Sequence, residues 1–547
     1  MPSWLALAVL ALGAACFLAL GVGEAWSDAP TFDEPVYVAA GLAAVLHHDL
    51  TLNSEHPPVP KVLAVLPVLL VHPVVPGNGH WSGNDEHSYS ARFIEAQRSA
   101  GTMRRVMFAA RLVPLAETAG VAFAVFALGL ELLGSAAAGA FGGLLWLSSP
   151  LVLGIGHLDG TDVPFALATV LASWALARWL RLRSRRALGW LGLSLAGAAL
   201  SEMTGLLVVA AGLAVVAMAT LWEHAAWRWR IRAALTRIGT LGLIVLATVW
   251  ILYAALDPAV LGHPGLLPAP YLAGITYLRV TDTVPAAGYL VGVSYVGGQW
   301  WFWPLSLVIK LPAAALILLV AGVAGALALP RDARRRAAAV VGLPALLLTG
   351  FTLTMPKDVG VRYLLPVIAL WAAAAGALVP AATALRPAAR RALLAAACAL
   401  LAVAAVTTAT SFPDSLSWTA PGFRPGYANA TDSNIDWGQG LYALSSWARG
   451  RRVWVAYFGP RGLTPDPIPG SQSLLGAPAS RVSGWVAVST TALNSSNETQ
   501  LEWLRGYCPV RVLAGSILIY RFRKPPAPAP TTGRPPPPCR GGWSRAS

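Results

Sequence analysis

The chain has 547 residues, of which 56% are hydrophobic and only 12% are charged. A soluble fold does not need that much apolar sequence, and repeated apolar runs of about 20 residues indicate a polytopic membrane protein. In a soluble protein the formal net charge of +15 would suggest a nucleic-acid partner. Here the arginines cluster between apolar runs, where they set membrane orientation, so we expect membrane lipids and no nucleic acid as partners.

About eleven segments are apolar and long enough to be transmembrane helices. No basic residues precede the first of them, so we interpret it as a retained span and not as a signal peptide. The predicted spans are residues 4–22, 106–131, 135–154, 163–180, 187–202, 205–221, 239–257, 303–328, 337–354, 361–380 and 392–410.

Arginine-rich blocks predict the orientation of the spans. An even number of predicted spans separates each block from the next, and the rule that basic loops stay inside makes their shared side cytoplasmic. The blocks are residues 181–186, 228–237, 331–336 and 386–391. The chain is thus predicted to be a multi-pass protein of the cytoplasmic (inner) membrane. The segments predicted to be extracytoplasmic are residues 23–105, 155–162, 258–302, 355–360 and everything after about 411.

The composition changes at about residue 411, which predicts a transmembrane domain over 1–410 and a small extracytoplasmic α/β domain over 411–523. Asp432 and its neighbours offer N-cap residues for an amphipathic helix that ends at Gly450, and three β-rich runs follow it. These runs are residues 453–458, 485–488 and 517–522. The Pro-rich residues 524–547 are predicted to be disordered.

The first outer loop, residues 23–105, carries the strongest candidate site. Asp33 and Glu34 follow the first span, and Glu55 and His56 come later in the same loop. Carboxylates at a bilayer surface are costly and usually persist for ion binding, proton transfer or catalysis. A solvated loop whose carboxylates face water is the alternative. Residues 60–76 are too rich in proline for a span and predict a helix along the outer leaflet.

Several different short motifs follow one another along the chain, on or near the predicted outer side. They are Asp33-Glu34 with Tyr37, Glu55-His-Pro-Pro58 with Lys61, Ser149-Pro150, His157, Thr161-Asp162, Gly288–Gly292, Trp300–Pro304 with Lys310, Gly360–Pro366 and Asp432–Gln439. In this order they resemble the GT-C type membrane glycosyltransferases that use polyprenyl-phosphate donors. The resemblance is to the group of the protein O-mannosyltransferases and aminoarabinose transferases, and within it to the bacterial phospholipid-carrier-dependent branch.

This resemblance implies transfer of a sugar, with inversion, from a polyprenyl-phosphate carrier to an acceptor hydroxyl on the outer face. It assigns Asp33 as the catalytic residue, because a positioned carboxylate can take the proton of a weakly nucleophilic alcohol. Cations such as Lys310 and Arg362 would stabilise the leaving phosphate. The residues expected to bind substrate are Glu34, His56, Asp162, Lys310, Arg362 and Tyr363.

The sequence leaves several alternatives. No metal ion is assigned, and a divalent ion held by Asp33, His56 and Asp162 is an alternative. Glu202 and Met203 stand where relatives often carry a lysine, which weakens a phosphate contact there. The sugar, the carrier length and the acceptor, whether protein, lipid or glycan, are not specified. A flippase or transporter for a lipid-linked saccharide, and a non-enzymatic envelope-assembly scaffold, are the competing functions.

Overall fold

The computed structural model describes residues 2–77, 85–223, 226–464, 467–494 and 499–525, so most of the predicted disordered tail lies outside the described residues. Helices dominate the chain up to residue 411. They are α1 (Ser3–Ser27), α2 (Glu34–His47), α3 (Pro58–Leu69), α4 (Glu86–Ala100), α5 (Met103–Leu133), α6 (Ala136–Leu147), α7 (Pro150–Gly156), α8 (Asp162–Leu182), α9 (Arg185–Ser201), α10 (Gly205–Leu221), α11 (Trp227–Leu256), α12 (Ala269–Thr281), α13 (Phe302–Lys310), α14 (Ala313–Leu327), α15 (Arg331–Ala337), α16 (Leu343–Thr352), α17 (Leu365–Ala375), α18 (Leu378–Ala381) and α19 (Pro387–Ser411).

All eleven predicted spans overlap helices. In the described part of the chain, six helices are long and apolar enough to cross a membrane, or seven if the bent pair α6 and α7 is one span. The protein is therefore an integral membrane protein, while the larger count of about eleven stays a prediction. The six helices are Ser3–Ser27, Met103–Leu133, Asp162–Leu182, Trp227–Leu256, Val361–Ala384 and Pro387–Ser411.

Proline breaks two of the predicted spans. Residues 135–154 form α6 and α7, which meet at 69° with Pro150 in the first turn of α7. Residues 303–328 form α13 and α14, and between them Leu311 is extended before Pro312. A residue that precedes proline is disfavoured in the helical conformation, which explains the second break.

The helical core depends on close approach of small residues. A side chain at Gly139 of α6 would place its Cβ 2.4 Å from the carbonyl oxygen of Phe126 in α5. Small residues at such crossings let helix backbones pack directly. Around this contact α1, α5, α6, α8, α14 and α17 share one large apolar cluster.

Helices α2, α3 and α4 lie within residues 23–105, the segment predicted to be the first outer loop. In α3 the apolar face buries Ala64, Val65 and Val68. The helix predicted over 60–76 is therefore present, although it is shorter, and its position along the outer leaflet stays a prediction.

The C-terminal part contains α20 (Leu441–Ala448), a short α21 (Thr490–Asn494) and a mixed five-stranded sheet in the order β4-β3-β5-β7-β6. A separate hairpin precedes this part of the chain. The strands are β1 (Ala287–Leu290) and β2 (Val293–Val296) of the hairpin, and β3 (Val453–Ala456), β4 (Gln472–Ser473), β5 (Gly484–Ser489), β6 (Arg511–Leu513) and β7 (Ile517–Phe522) of the sheet. The three β-rich runs thus form strands, whereas the predicted N-cap is wrong. Asp432 lies in a 3-10 turn, and Gly440 precedes α20.

The two faces of the sheet pack against different partners. Alternate side chains such as Val455 and Ile517 join Val38, Phe93 and Met107 of the first outer loop and α5 in one apolar cluster. The opposite face packs against α21 and the turn after it. Because successive strand residues point to opposite faces, the sheet shares a core with the loop that carries Asp33. The division into domains over 1–410 and 411–523 stays a prediction.

Candidate active site

Arg362 joins two aspartates that are distant in sequence. Its Nη2 lies 3.2 Å from Oδ2 of Asp33, and its Nη1 lies 3.1 Å from Oδ2 of Asp162. Asp33 immediately precedes α2, Asp162 begins α8, and Arg362 sits in the 3-10 turn before α17. Three of the predicted site residues therefore meet where three helices begin.

Two aromatic rings hold the guanidinium of Arg362 in place. Its Cζ lies 4.2 Å from the ring centre of Trp437 and 5.0 Å from that of Tyr363. Cation–π contacts of this kind are attractive and strengthen when water is excluded. Tyr363, predicted to bind substrate, lies against the arginine.

Residues 432–439 connect the C-terminal part to this cluster. The backbone N–H of Phe32, just before Asp33, donates to the carbonyl oxygen of Trp437 at 2.9 Å. The N–H of Val361, just before Arg362, donates to the side-chain oxygen of Asn434 at 3.0 Å. The same segment thus fixes the backbone beside both charged residues.

Asp33 is the most accessible member of the cluster. Its side chain is 22% exposed, against 7% for both Asp162 and Arg362. In the described structure, the buried Nε of Arg362 has no hydrogen-bond partner. A general base must reach the proton that it abstracts, so the exposed Asp33 is better placed for that role than Asp162.

Glu34 is held by Arg111 of α5. Its carboxylate accepts Nε–H at 2.7 Å and Nη2–H at 2.6 Å, a bidentate geometry that strengthens an ion pair. The backbone N–H groups of Thr31 and Asp159 donate to the same carboxylate at 2.8 and 3.0 Å. Burial favours the neutral form, but Arg111 and these donors lower the pKa of Glu34 below its usual value. Glu34 is fully buried, so the solvated alternative is wrong for this residue.

Arg111 also secures the end of α1. Its Nη1 donates to the carbonyl oxygens of Ala25 and Asp28 at 2.9 and 2.7 Å, and its Nη2 donates to that of Ala29 at 2.8 Å. The backbone that leads to Asp33 is therefore fixed from inside the helical core. Sequence reasoning missed this residue, although an arginine within the predicted span 106–131 is the kind of costly charge that signals a role.

His56 pairs with Glu202, the residue that departs from the pattern of the relatives. Nδ1 of His56 lies 3.2 Å from Oε2 of Glu202, and the hydroxyl oxygen of Tyr37 lies 3.4 Å from Nε2. Burial favours the neutral imidazole, but the Glu202 carboxylate outweighs it and raises the pKa of His56 to about 9. His56 is therefore a cation at neutral pH. Glu202 compensates this charge where a lysine would repel it.

A buried network of charged residues surrounds the backbone of His56. Nζ of Lys61 donates to the carbonyl oxygens of Asn53 and His56 at 2.6 and 2.7 Å. The side-chain amide of Asn53 donates to Glu55 and Glu86 at 2.8 and 2.9 Å. Burial and the neighbouring Glu55 raise the pKa of Glu86 to about 8. These contacts fix the loop that carries His56, and sequence reasoning had not singled out Glu86.

Lys310 lies at the C-terminal end of α13 and is fully buried. Its ammonium donates to the carbonyl oxygens of Leu416 and Trp418 at 2.7 and 2.6 Å. An ammonium has three donors, so one N–H remains for another acceptor. Within the described part of the chain, Lys310 thus binds the segment that follows α19 and not Asp33.

The predicted metal alternative required Asp33, His56 and Asp162 to converge. Arg362 instead binds both aspartates, and Glu202 binds the histidine. Among the described residues, no group of three histidine, cysteine, aspartate or glutamate side chains is arranged to hold a metal ion.

Comparison with known proteins gives one family match. Residues 102–252, which include Arg111, Asp162 and Glu202, match the family described as dolichyl-phosphate-mannose-protein mannosyltransferase. No curated protein matches the chain.

Similar solved structures include ArnT from Cupriavidus metallidurans bound to undecaprenyl phosphate, with 14% identity, a TM-score of 0.48, and coverage of 93% of this chain and 97% of that one. Another is the oligosaccharyltransferase AglB from Archaeoglobus fulgidus in complex with an inhibitory peptide and a dolichol phosphate. It has 13% identity, a TM-score of 0.47, and coverage of 92% and 72%. The arabinofuranosyltransferase AftD from Mycobacteria has 14% identity, a TM-score of 0.42, and coverage of 90% and 35%.

The family match confirms, for residues 102–252, the resemblance to the polyprenyl-phosphate-dependent glycosyltransferases.

Proposed function

We propose that the protein is a membrane glycosyltransferase that moves a sugar from a polyprenyl-phosphate carrier to an acceptor hydroxyl on the extracytoplasmic face. The family match over residues 102–252 supports a sugar transferase. The observation that carries the finer proposal is the Asp33–Arg362–Asp162 cluster, in which Asp33 keeps the most exposed side chain.

In the proposed reaction, the acceptor hydroxyl attacks the anomeric carbon in a single displacement. Asp33 accepts the hydroxyl proton as the new carbon–oxygen bond forms. The bond between the anomeric carbon and the phosphate oxygen breaks, and the electron pair leaves with the polyprenyl phosphate. One displacement inverts the anomeric configuration. A positioned general base contributes roughly 100- to 10,000-fold to such a step.

Cationic side chains would stabilise the charge that develops on the leaving phosphate. His56 is protonated at neutral pH because of Glu202. Tyr37 of α2, the helix that begins just after Asp33, contacts the His56 ring through its hydroxyl. The remaining donor of Lys310 and the unpartnered Nε of Arg362 are further candidates for a phosphate oxygen. Arg362 has a second role in the proposal, since it fixes the Asp33 carboxylate.

The test is Asp33→Asn in the purified full-length protein. With a radiolabelled polyprenyl-phosphate mannose donor and an envelope extract as acceptor, we expect sugar transfer to fall at least about 100-fold, while donor binding and the thermal unfolding midpoint change little. Asp332→Asn is the matched control, because Asp332 is an exposed aspartate in the arginine-rich segment 331–336, which is predicted to lie on the other side of the membrane, and it should retain the parental rate. Full activity in Asp33→Asn would refute the catalytic assignment.

The same experiment separates the competing functions. A transporter releases no sugar from its carrier in detergent, where no gradient exists, and a scaffold retains its function without Asp33. Release of polyprenyl phosphate that depends on Asp33 would support the transferase over both.

A further inference from the structure

A cavity of about 320 Å³ lies between the C-terminal sheet and the β1–β2 hairpin, apart from the Asp33 cluster. Ligand sites are typically about 300–1,000 Å³, so its size suits a short saccharide and not a folded partner. Tyrosines and arginines dominate the polar part of its wall. The residues that matter here are Tyr289, Tyr427, Tyr507, Tyr520, Arg424 and Arg505.

The two arginines of the cavity lack acidic partners. Across the described ranges, the ion pairs include neither Arg424 nor Arg505. Nη2 of Arg505 donates to the carbonyl oxygen of Leu493 at 3.2 Å, while its buried Nε has no hydrogen-bond partner among the described residues. A half-buried guanidinium without a carboxylate is costly, and a bound anion would compensate it.

The aromatic rings of the wall are held by their neighbours. Tyr507 lies edge-on to Phe522 with ring centres 5.1 Å apart, and Tyr520 is parallel to the same ring at 6.3 Å. Tyr289 is fixed by a hydrogen bond from its hydroxyl to the carbonyl oxygen of Ala428 at 2.9 Å. Ordered tyrosines present flat apolar faces with a polar tip, which suits the C–H face and the hydroxyls of a pyranose ring.

We propose that this cavity binds an acidic saccharide, with the sugar ring against the tyrosines and its carboxylate or phosphate on Arg505 and Arg424. Guanidinium groups bind both anions in the same bidentate manner, so the shared chemistry is an anionic sugar. A neutral saccharide would leave both arginines without a counter-charge.

The chain segment that forms one wall of the cavity also leads to the candidate active site. The carbonyl oxygen of Asn429, in the wall, accepts the N–H of Val291 at 2.9 Å. A few residues later the same chain segment supplies Asn434 and Trp437, which contact the backbone and side chain around Arg362. If the protein is the proposed transferase, the cavity belongs to the acceptor, whose acidic sugar would bind here while a hydroxyl reaches Asp33.

The test measures binding alone, without donor, by calorimetry on the full-length protein in detergent. The probes are trigalacturonate, mannose 6-phosphate and neutral maltotriose. We expect one or both acidic probes to bind and maltotriose to bind at least tenfold more weakly. Binding of trigalacturonate alone would assign the anion as a carboxylate, and binding of mannose 6-phosphate alone would assign it as a phosphate. Absence of binding by both acidic probes, or equal binding of maltotriose, would overturn the proposal.

Variants locate the binding site. Arg505→Gln should weaken binding of the acidic probe at least tenfold, and the exposed Arg424→Gln gives a second test if Arg505→Gln lowers the unfolding midpoint. Arg481→Gln, an exposed arginine outside the cavity, should bind as the parent does. Unchanged binding in the Arg424→Gln/Arg505→Gln double variant would overturn the proposal. Repeating the titration in Asp33→Asn separates the two proposals, because this binding does not require transfer.

Discussion

At the scale of single residues, Arg362 determines where the Asp33 carboxylate lies. Its two terminal nitrogens bind Asp33 and Asp162, and its Cζ lies 4.2 Å from the ring centre of Trp437. We expect Arg362→Lys to lower transfer about 10- to 100-fold, because a lysine keeps the charge but cannot hold both carboxylates and the ring, and a hydrogen bond to a charged group contributes about 1.5–3 kcal/mol.

Initial rates of sugar transfer at saturating donor measure this effect. Arg481→Lys, on an exposed arginine in the 3-10 turn Ala479–Arg481, is the matched control and should retain the parental rate. If Arg362→Lys transfers sugar as fast as the parent, catalysis does not require one side chain that binds Asp33 and Asp162 at the same time.

His56 gives a prediction about pH. Its pKa is about 9 in the folded protein and about 6.5 when unfolded, so its pairing with Glu202 stabilises the fold fully below about pH 6.5. This stabilisation is lost as the pH rises through 9 and amounts to about 3 kcal/mol at most. His56→Gln should therefore lower the unfolding midpoint strongly at pH 6 and only slightly at pH 9.5.

Thermal unfolding of parent and variant at several pH values, compared as differences, measures this effect together with the smaller charge interactions of His56 with Lys61 and Glu86. His263→Gln, at an exposed histidine, should show no such trend. A difference that grows with pH would contradict the assigned charge of His56.

At the scale of elements, the Glu34–Arg111 pair fastens α2 and the end of α1 onto α5. Both side chains are almost completely buried. Removing one partner of a buried pair leaves an uncompensated charge and costs about 3–5 kcal/mol, so Arg111→Met should be strongly destabilised. The Glu34→Gln/Arg111→Met double variant should be less destabilised than the sum of the single variants, with a coupling of about 0.5–3 kcal/mol.

Denaturation midpoints of the four proteins in this cycle measure the coupling. The pair between the half-exposed Arg181 and Glu131 provides the control cycle, in which Arg181→Met should have little effect because Arg178 also lies 3.7 Å from Glu131. If the losses of unfolding free energy in the two single variants simply add up to the loss in the double variant, Glu34 and Arg111 do not stabilise the fold as a pair.

The sequence was sufficient to predict the helices, because apolar runs of membrane length are a local property. It was also sufficient to nominate Asp33, Asp162 and Arg362, whose motifs are short and contiguous. It did not reveal that these residues meet, since contact between positions up to 329 residues apart has no local pattern. The N-cap predicted at Asp432 failed for the same reason, because long-range hydrogen bonds hold residues 432–439 against the active-site backbone.

At the scale of the whole molecule, the shared core restricts the topology. The first outer loop and the C-terminal sheet pack in one apolar cluster, so an even number of crossings must separate residue 27 from residue 411. If only six helices cross the membrane, five crossings separate residue 27 from residue 411. Five is an odd number, so this count would put the two parts of the cluster on opposite sides. The seven-span count, which includes the bent pair, and the predicted eleven both satisfy the condition.

The arginine block at 331–336 separates these two topologies. With seven spans this block lies on the same side as Asp33, whereas with eleven it lies on the opposite, cytoplasmic side, as positively charged loops prefer. We expect a green fluorescent protein fused after Arg336 to fluoresce and alkaline phosphatase fused there to be inactive. A fusion after Lys524 should behave in the opposite way, and a fusion after Ser184 should match the first because both topologies place it in the cytoplasm. Active phosphatase after Arg336 would refute eleven spans. Active phosphatase after Lys524 would show that the C-terminal sheet is outside the cytoplasm, and the loop that carries Asp33 must then be outside as well, because it shares a core with this sheet.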